Sequence, residues 1–377
     1  MSIEVKEVLT LRDLRKFILF PYRLYRNNPY WVPLLISDEL NTLRRDRNPA
    51  FEYSEARYWL AYQQGKIVGR IAGILNRSHI QKWQQAYLRF SWFDFIDDPR
   101  VSKALLDTVE AWAKALGLSA IHGPIGFTDL DREGMLVEGF EEMGTLSTFY
   151  NYPYYPQHMQ QHGYSKDTDW VEYELTLPEK PNEDIARLAE IVLRRNHLRV
   201  LKAHSKKDLL LYAPQIFDLL NEAYQNLYGV VPLTARQMES YTKEYFSFIE
   251  PDLVPVILDE NDKVVAFGIT MPSLTRALQK ADGHLWPFGF LHLMGALRKN
   301  DRADLYLVAI APAYQGKGLN AVLMDQIQHA FIRRGYTKAE SNPELETNAR
   351  VQAQWKHFVH RQHKRRRCYI KVLQPTT

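Results

Sequence analysis

The sequence predicts an α+β chain, with mixed α/β sheets, folded as two domains at 1–177 and 178–377. Three observations carry that prediction. At 377 residues the chain exceeds one ordinary domain. Residues 177–182 hold two prolines and two charges between a strand-like run and a helix-like run, which suits a boundary. Each half then runs through one order of elements, a hairpin, a strand, an amphipathic helix and a further strand.

In the first half, 58–62 and 67–75 flank the turn residues Gln63, Gln64, Gly65 and Lys66 and read as a hairpin. An aromatic strand follows at 90–96. Asp97, Asp98 and Pro99 then open a helix to about 116, with Val101, Ala104, Leu105, Val109 and Trp112 on its apolar face. Residues 118–125 read as the next strand, and 170–177 as another after Gly163 and Tyr164. In the second half, helices are expected at 183–196, 207–228 and 235–248, with a short strand at 198–203. Two strands flank the polar turn 259–263.

The most informative stretch is 305–330. An apolar, β-branched run at 305–310 leads through Ala311 and Pro312 to Tyr314, Gln315, Gly316, Lys317, Gly318, Leu319 and Asn320. A helix follows, with Leu319, Val322, Leu323, Ile327 and Ala330 on one face. Strand, glycine turn and helix bring several backbone N–H groups to one helix N-terminus, a geometry that holds phosphate oxygens. Residues 336–341 read as a strand, Asn342, Pro343 and Glu344 as a turn, 345–359 as a last helix, and the segment from Cys368 as a closing strand.

The loop resembles the acyl-CoA loop of the GNAT acyltransferases, whose pattern is Gln/Arg-x-x-Gly-x-Gly/Ala after a strand and Pro. Gln315 and Gly318 match, and Asn320 stands where Gly or Ala is usual. The family also has an Asn at the start of the last helix and a Tyr seven residues on, which often protonates the leaving thiolate. Asn348 matches the first position, but Trp355 occupies the second. An indole N–H is neutral and cannot act as a general acid at pH 7. The element order of the second half follows a GNAT domain nearly end to end, and that of the first half follows it more faintly. The resemblance therefore implies two GNAT-like domains in tandem. In the first, Asp97 and Asp98 replace the glycine loop and would repel phosphate, so that copy is read as degenerate.

What the resemblance implies for function is an N-acyltransferase with acetyl-CoA or acyl-CoA as co-substrate. Backbone groups of Val308 and Ile310 would hold the pantetheine, N–H groups of Gly316, Lys317, Gly318, Leu319 and Asn320 the pyrophosphate, with Gln315 and Asn348 beside them. Glu340, at the end of a strand, is the candidate base for an attacking amine, directly or through a water. No residue presents itself as the general acid, and the amine acceptor is not legible. The competing class is a non-catalytic acyl-CoA-binding or regulatory protein, to which Trp355 and Asn320 both point.

Composition fits a globular protein, 46% hydrophobic and 24% charged. A single Cys, Cys368, excludes a disulfide framework and a Cys-based zinc site, and it reads as a packed thiol. No metal is expected at His357, His360 and His363, whose surroundings are strongly cationic. The charged N-terminus lacks a signal-peptide core, and no apolar run reaches the ~20 residues of a membrane span, so a cytoplasmic protein is expected. Residues 350–371 carry eight Lys or Arg and no acid. That run suggests an anion partner, namely the CoA 3′-phosphate, an anionic membrane surface at the inner face, or, least favoured, nucleic acid. The apolar insertion 283–297, followed by Arg298 and Lys299, would line an acyl or lipid pocket, dip into a membrane surface, or pack on the first domain.

Overall fold

The structure, a computed structural model, describes residues 2–245 and 248–374. Contacts divide the chain into two compact units that do not follow a single cut. The first comprises Met1–Val171, Thr275–Leu293 and His363–Thr377, and the second Glu172–Leu274 and Met294–Gln362. A division at 177 expects residues 275–293 and the last strand in the second domain, whereas their contacts lie in the first.

The first unit holds β1 (Glu4–Glu7), β2 (Ser54–Gln63), β3 (Lys66–Asn76), β4 (Tyr87–Phe95), β5 (Ala120–Gly123), β6 (Met135–Glu138) and the start of β7 (Ser165–Thr176). Strands β1 to β5 lie side by side in chain order. The hairpin β2–β3 turns through Gln64 and Gly65, both at positive φ, as the turn residues predict. Strands β4 and β5 run parallel over only three residues, Tyr87 to Arg89 opposite Ala120 to His122. Between them the helix Pro99–Ala115 buries Val101, Leu105, Val109 and Trp112 against Trp59, Ile71, Phe90 and Phe95. Its first turn is closed by Asp98, whose carboxylate accepts from the Arg100 backbone N–H at 2.9 Å and is clamped by the Arg100 guanidinium.

The second unit begins within β7 and holds β8 (Arg199–Val200), β9 (Val256–Leu258), β10 (Val264–Pro272), β11 (Arg302–Ile310), β12 (Lys338–Ser341), β13 (Glu344–Leu345) and the start of β14 (Val359–Val372). Its sheet order is β7-β12-β11-β10-β9-β8. Strands β11 and β12 are parallel and are joined by the helix Leu319–Arg334. That helix buries the predicted face, Leu319, Val322, Leu323, Ile327 and Ala330. It ends on Gly335 in the left-handed region (φ 71°), where only a residue without Cβ is unstrained. The helix expected at 207–228 is two, Lys206–Leu210 and Ala213–Tyr224, because Pro214 opens a new first turn. The helix expected at 235–248 spans Ala235–Tyr245, and its positions 246 and 247 lie outside the described residues.

Two expectations near the C-terminus fail. The last helix, expected over 345–359, is one α-turn, Ala349–Gln352, and a 3₁₀ stretch, Ala353–His357. The residues after it form β14, whose Tyr369 to Val372 ladder onto β5 and whose Arg365 to Arg367 pair with β6. From His363 on, the cationic run is therefore part of a strand of the first unit, whereas Arg350, Lys356 and Arg361 before it are exposed. Lys364 and Arg366 are buried and donate to the carbonyls of Met143 and Phe149. Arg365 and Arg367 clamp the buried Asp169. Cys368 is buried, as expected of a packed thiol.

Candidate functional site

The glycine loop sits between β11 and the helix Leu319–Arg334. A 3₁₀ turn, Pro312–Tyr314, brings the chain off β11. Gly316 and Gly318 then adopt φ 75° and φ 86°, a left-handed pair with the Lys317 N–H between them donated to the Tyr314 carbonyl at 3.2 Å. Gln315, Gly316 and Lys317 are exposed, and Lys317 holds its ammonium 4.9 Å from the Tyr314 ring. Gly318 is the N-cap and has no side chain to satisfy the N–H groups of the first turn. Its carbonyl takes the Ala321 N–H at 2.9 Å. The N–H groups of Leu319 and Asn320 start the helix, so they have no intrahelical acceptor. Leu319 itself is 1% exposed and anchors the loop in a cluster with Val192, Ile257 and Val265. Asn320 is exposed.

Beside the loop, β11 and β12 separate. They pair from Arg302 with Lys338 to Leu305 with Ser341 and no further, while β11 continues against β10 to Ile310. Asn342 closes the parting point, its N–H on the Leu305 carbonyl and its amide on the Tyr306 carbonyl, each at 3.0 Å. Past it, the Val308 carbonyl accepts from the Tyr224 hydroxyl at 3.0 Å, and the Ile310 carbonyl from Gln315 at 3.3 Å. Each carbonyl oxygen keeps one lone pair for a further donor.

Titratable groups gather at this parting point. Register puts Asp304 of β11 beside Glu340 of β12, and Glu340 beside Glu174 of β7, so three carboxylates stand in one row on one face. Tyr306, two residues from Asp304, shares that face. Burial first, and Asp304 next, push its phenol well above the ordinary value, which keeps it a neutral O–H donor. Burial alone would raise Glu174, but hydrogen bonds from Lys338 and Arg361 outweigh it and hold the carboxyl at about 2. Glu340 is half-buried between these neighbours.

Asn348 and Trp355 both lie in the short turns that precede β14. Asn348 caps the short turn Ala349–Gln352, its side chain accepting from the Val351 N–H at 3.4 Å. Trp355 is 3% exposed and packs among Leu175, Ala303 and Phe331. Its indole N–H donates to both oxygens of Glu344, at 3.0 and 3.3 Å. Asp304, Tyr306, Asn342 and Glu344 escaped the sequence reading. The first two carried a usable signal, since they alternate along a strand that ends at the glycine loop.

The acetyltransferase (GNAT) family model matches residues 213–358, which hold the loop, both parted strands and Trp355. Over its full length the chain superposes on a tandem GNAT protein from the clavulanic acid biosynthesis pathway, at 11% identity and TM-score 0.57, covering all of both chains. The chain has the tandem GNAT fold, with a GNAT acetyltransferase domain over residues 213–358. A second structure of this fold is a GCN5-related N-acetyltransferase from Sphaerobacter thermophilus, at 12% identity and TM-score 0.52, covering all of this chain and 97% of that one. Among curated proteins, the chain is 28% identical to protein YghO of Escherichia coli K12 over 378 residues, 98% of this chain and 95% of that protein. It is 26% identical to the bacterial ceramide synthase of Caulobacter vibrioides over 361 residues, 92% and 91% respectively. Enzymes of the GNAT family take acetyl-CoA or acyl-CoA as co-substrate, which favours catalysis over a purely binding role. Among the described residues no helix is long and apolar enough to cross a membrane.

Proposed function

We propose that this protein transfers a long acyl group from CoA to the amine of a lipid-like acceptor. The observation that carries the cofactor half is the loop, two left-handed glycines ahead of an uncapped helix N-terminus. Amides of Gly316, Gly318, Leu319 and Asn320 hold the pyrophosphate, with the Lys317 side chain beside it; the Lys317 N–H is already given to the Tyr314 carbonyl. The pantetheine follows β11 past Val308 and enters where β11 and β12 part, so the thioester lies near Glu340. Glu340, next to Asp304, takes the proton that the amine must lose before it attacks.

Two observations support a lipid-like acceptor. A relative over nearly the whole length is a ceramide synthase, and ceramides are amides of long-chain amines. The expected apolar insertion presents Trp286, Phe288, Leu291 and Met294 at 71, 68, 54 and 45% exposure, ahead of Arg298 and Lys299 on the helix Gly289–Arg298 and just past it. An apolar face rimmed by cations fits an anionic bilayer surface from which such an amine is drawn. The first unit serves as a degenerate copy without cofactor. The Asp98 carboxylate and its Arg100 clamp fill the helix N-terminus where phosphate would bind.

The test is a comparison of amines. With a long-chain acyl-CoA, a long-chain primary amine should give kcat/KM at least tenfold above a short soluble amine, with the amide identified by mass spectrometry. Equal rates on both would remove the lipid assignment and leave a general N-acyltransferase.

A further inference from the structure

Trp355 leaves the acyltransferase without the phenol that its position would otherwise supply, yet a thiolate leaving group still needs a proton. We propose that Glu344 supplies it, acting as the general acid that protonates the departing CoA sulfur. The inference rests on the N-acyl transfer proposed above and adds the identity of its acid.

Three observations point to Glu344. First, Trp355 is aimed at it, and the indole N–H binds both carboxyl oxygens. The side chain in the tyrosine position therefore holds an acid in place of being one. Second, Glu344 stands at the parting of β11 and β12. Ser341, the last residue of their ladder, also donates to its carboxyl. Asn342, two residues before it, bridges the strands there. Third, the partners Trp355 and Ser341 are both donors, and among the described residues the carboxyl meets no acceptor. A protonated carboxyl has one O–H to give, and these contacts leave it for a ligand.

Its protonation state suits the task. Burial raises the Glu344 pKa to about 8, against the lowering effect of Trp355 and Ser341. At pH 7 about ten carboxyls in eleven then carry the proton. In the step, the amine nitrogen forms a bond to the thioester carbon. The C–S bond breaks with its electron pair on sulfur, and the Glu344 proton moves to that sulfur, giving free CoA thiol. The nitrogen loses its proton to Glu340 or to water, and water reprotonates Glu344. No oxidant or second co-reactant is required.

The experiment compares the parent with Glu344→Gln, Trp355→Tyr and the double variant, using full-length protein, a long-chain acyl-CoA and a long-chain amine. Thiol release is followed from pH 6 to 9.5, and acyl-CoA affinity is measured separately by calorimetry. Glu344→Gln should lower kcat about a hundredfold, as loss of a general acid does, with acyl-CoA affinity within about twofold. It should also abolish the fall in parent kcat above pH 8. The double variant, which restores a phenol, should recover at least tenfold over Glu344→Gln. Parent-like kcat with an unchanged alkaline limb in Glu344→Gln would overturn the assignment of the acid and leave the N-acyl transfer standing. A parent that binds acyl-CoA but releases no thiol with any amine would overturn both. Loss of acyl-CoA affinity in step with kcat would assign Glu344 to support of the fold and likewise end its role as acid.

Discussion

Gly318 shows how far a single residue can be read. Its φ of 86° is a conformation that a β-branched residue resists, and a Cβ there would lie 2.9 Å from Val192. Gly318→Val should lose acyl-CoA binding by at least a hundredfold in calorimetry while the melting temperature falls by only a few degrees. Parent affinity in that variant would remove the basis of the cofactor site. Such a loop is legible because it is local, with strand, Pro312, two glycines and helix lying within a short stretch of sequence. Glu344 was not legible, since its raised pKa comes from burial in the folded chain, and its partner Trp355 lies eleven positions away. Linkage gives its stability a sign. The folded pKa lies above the ordinary value, so the contribution is whole at acid pH and is lost as pH rises through about 8. Glu344→Gln should therefore lose less melting temperature between pH 6 and pH 9 than the parent does. A parallel decline in both would show that the carboxyl is not buried in its protonated form.

At the scale of elements, the helix Leu319–Arg334 was legible from its apolar period and the short C-terminal turn was not. The segment from Val359 was read by its charges, which hide an alternation typical of a strand. Lys364, Arg366 and Cys368 are buried while Arg365 and Arg367 stay half-exposed. Long cationic side chains sit inside there because backbone carbonyls receive them. Strand β7 carries the opposite charge, with Glu174 held by Arg302, Lys338 and Arg361. A carboxyl at about 2 stabilises the fold above the ordinary carboxylate range and loses that contribution as pH falls toward 2. Glu174→Gln should flatten the acid limb of the melting curve between pH 5 and pH 3, and an unchanged limb would show the three cations to be screened by water. For the apolar insertion, Trp286→Ser with Phe288→Ser should slow acylation of a long-chain amine held in anionic vesicles at least fivefold. The rate on a short soluble amine should stay within twofold, because both side chains are exposed. Equal slowing of both would assign the segment to packing.

For the whole molecule, the two-domain plan was legible from length, from the proline-rich boundary and from the repeated order of elements. The membership of residues 275–293 and of the last strand in the first unit was not, because it depends on partners such as β5, far away in sequence. If the first unit is degenerate, calorimetry should return one acyl-CoA per chain, and two would show that its helix N-terminus binds phosphate despite Asp98. Chain length supplies a second check, since each buried methylene contributes about 0.8 kcal/mol and four give on the order of a hundredfold in affinity. The most direct measurement of the central claim is the balance of products from a long-chain acyl-CoA and a long-chain amine, with free thiol and amide quantified together. One amide for each thiol, abolished in Gly318→Val, is the predicted result. Thiol without amide, or bound acyl-CoA with neither product, would contradict it.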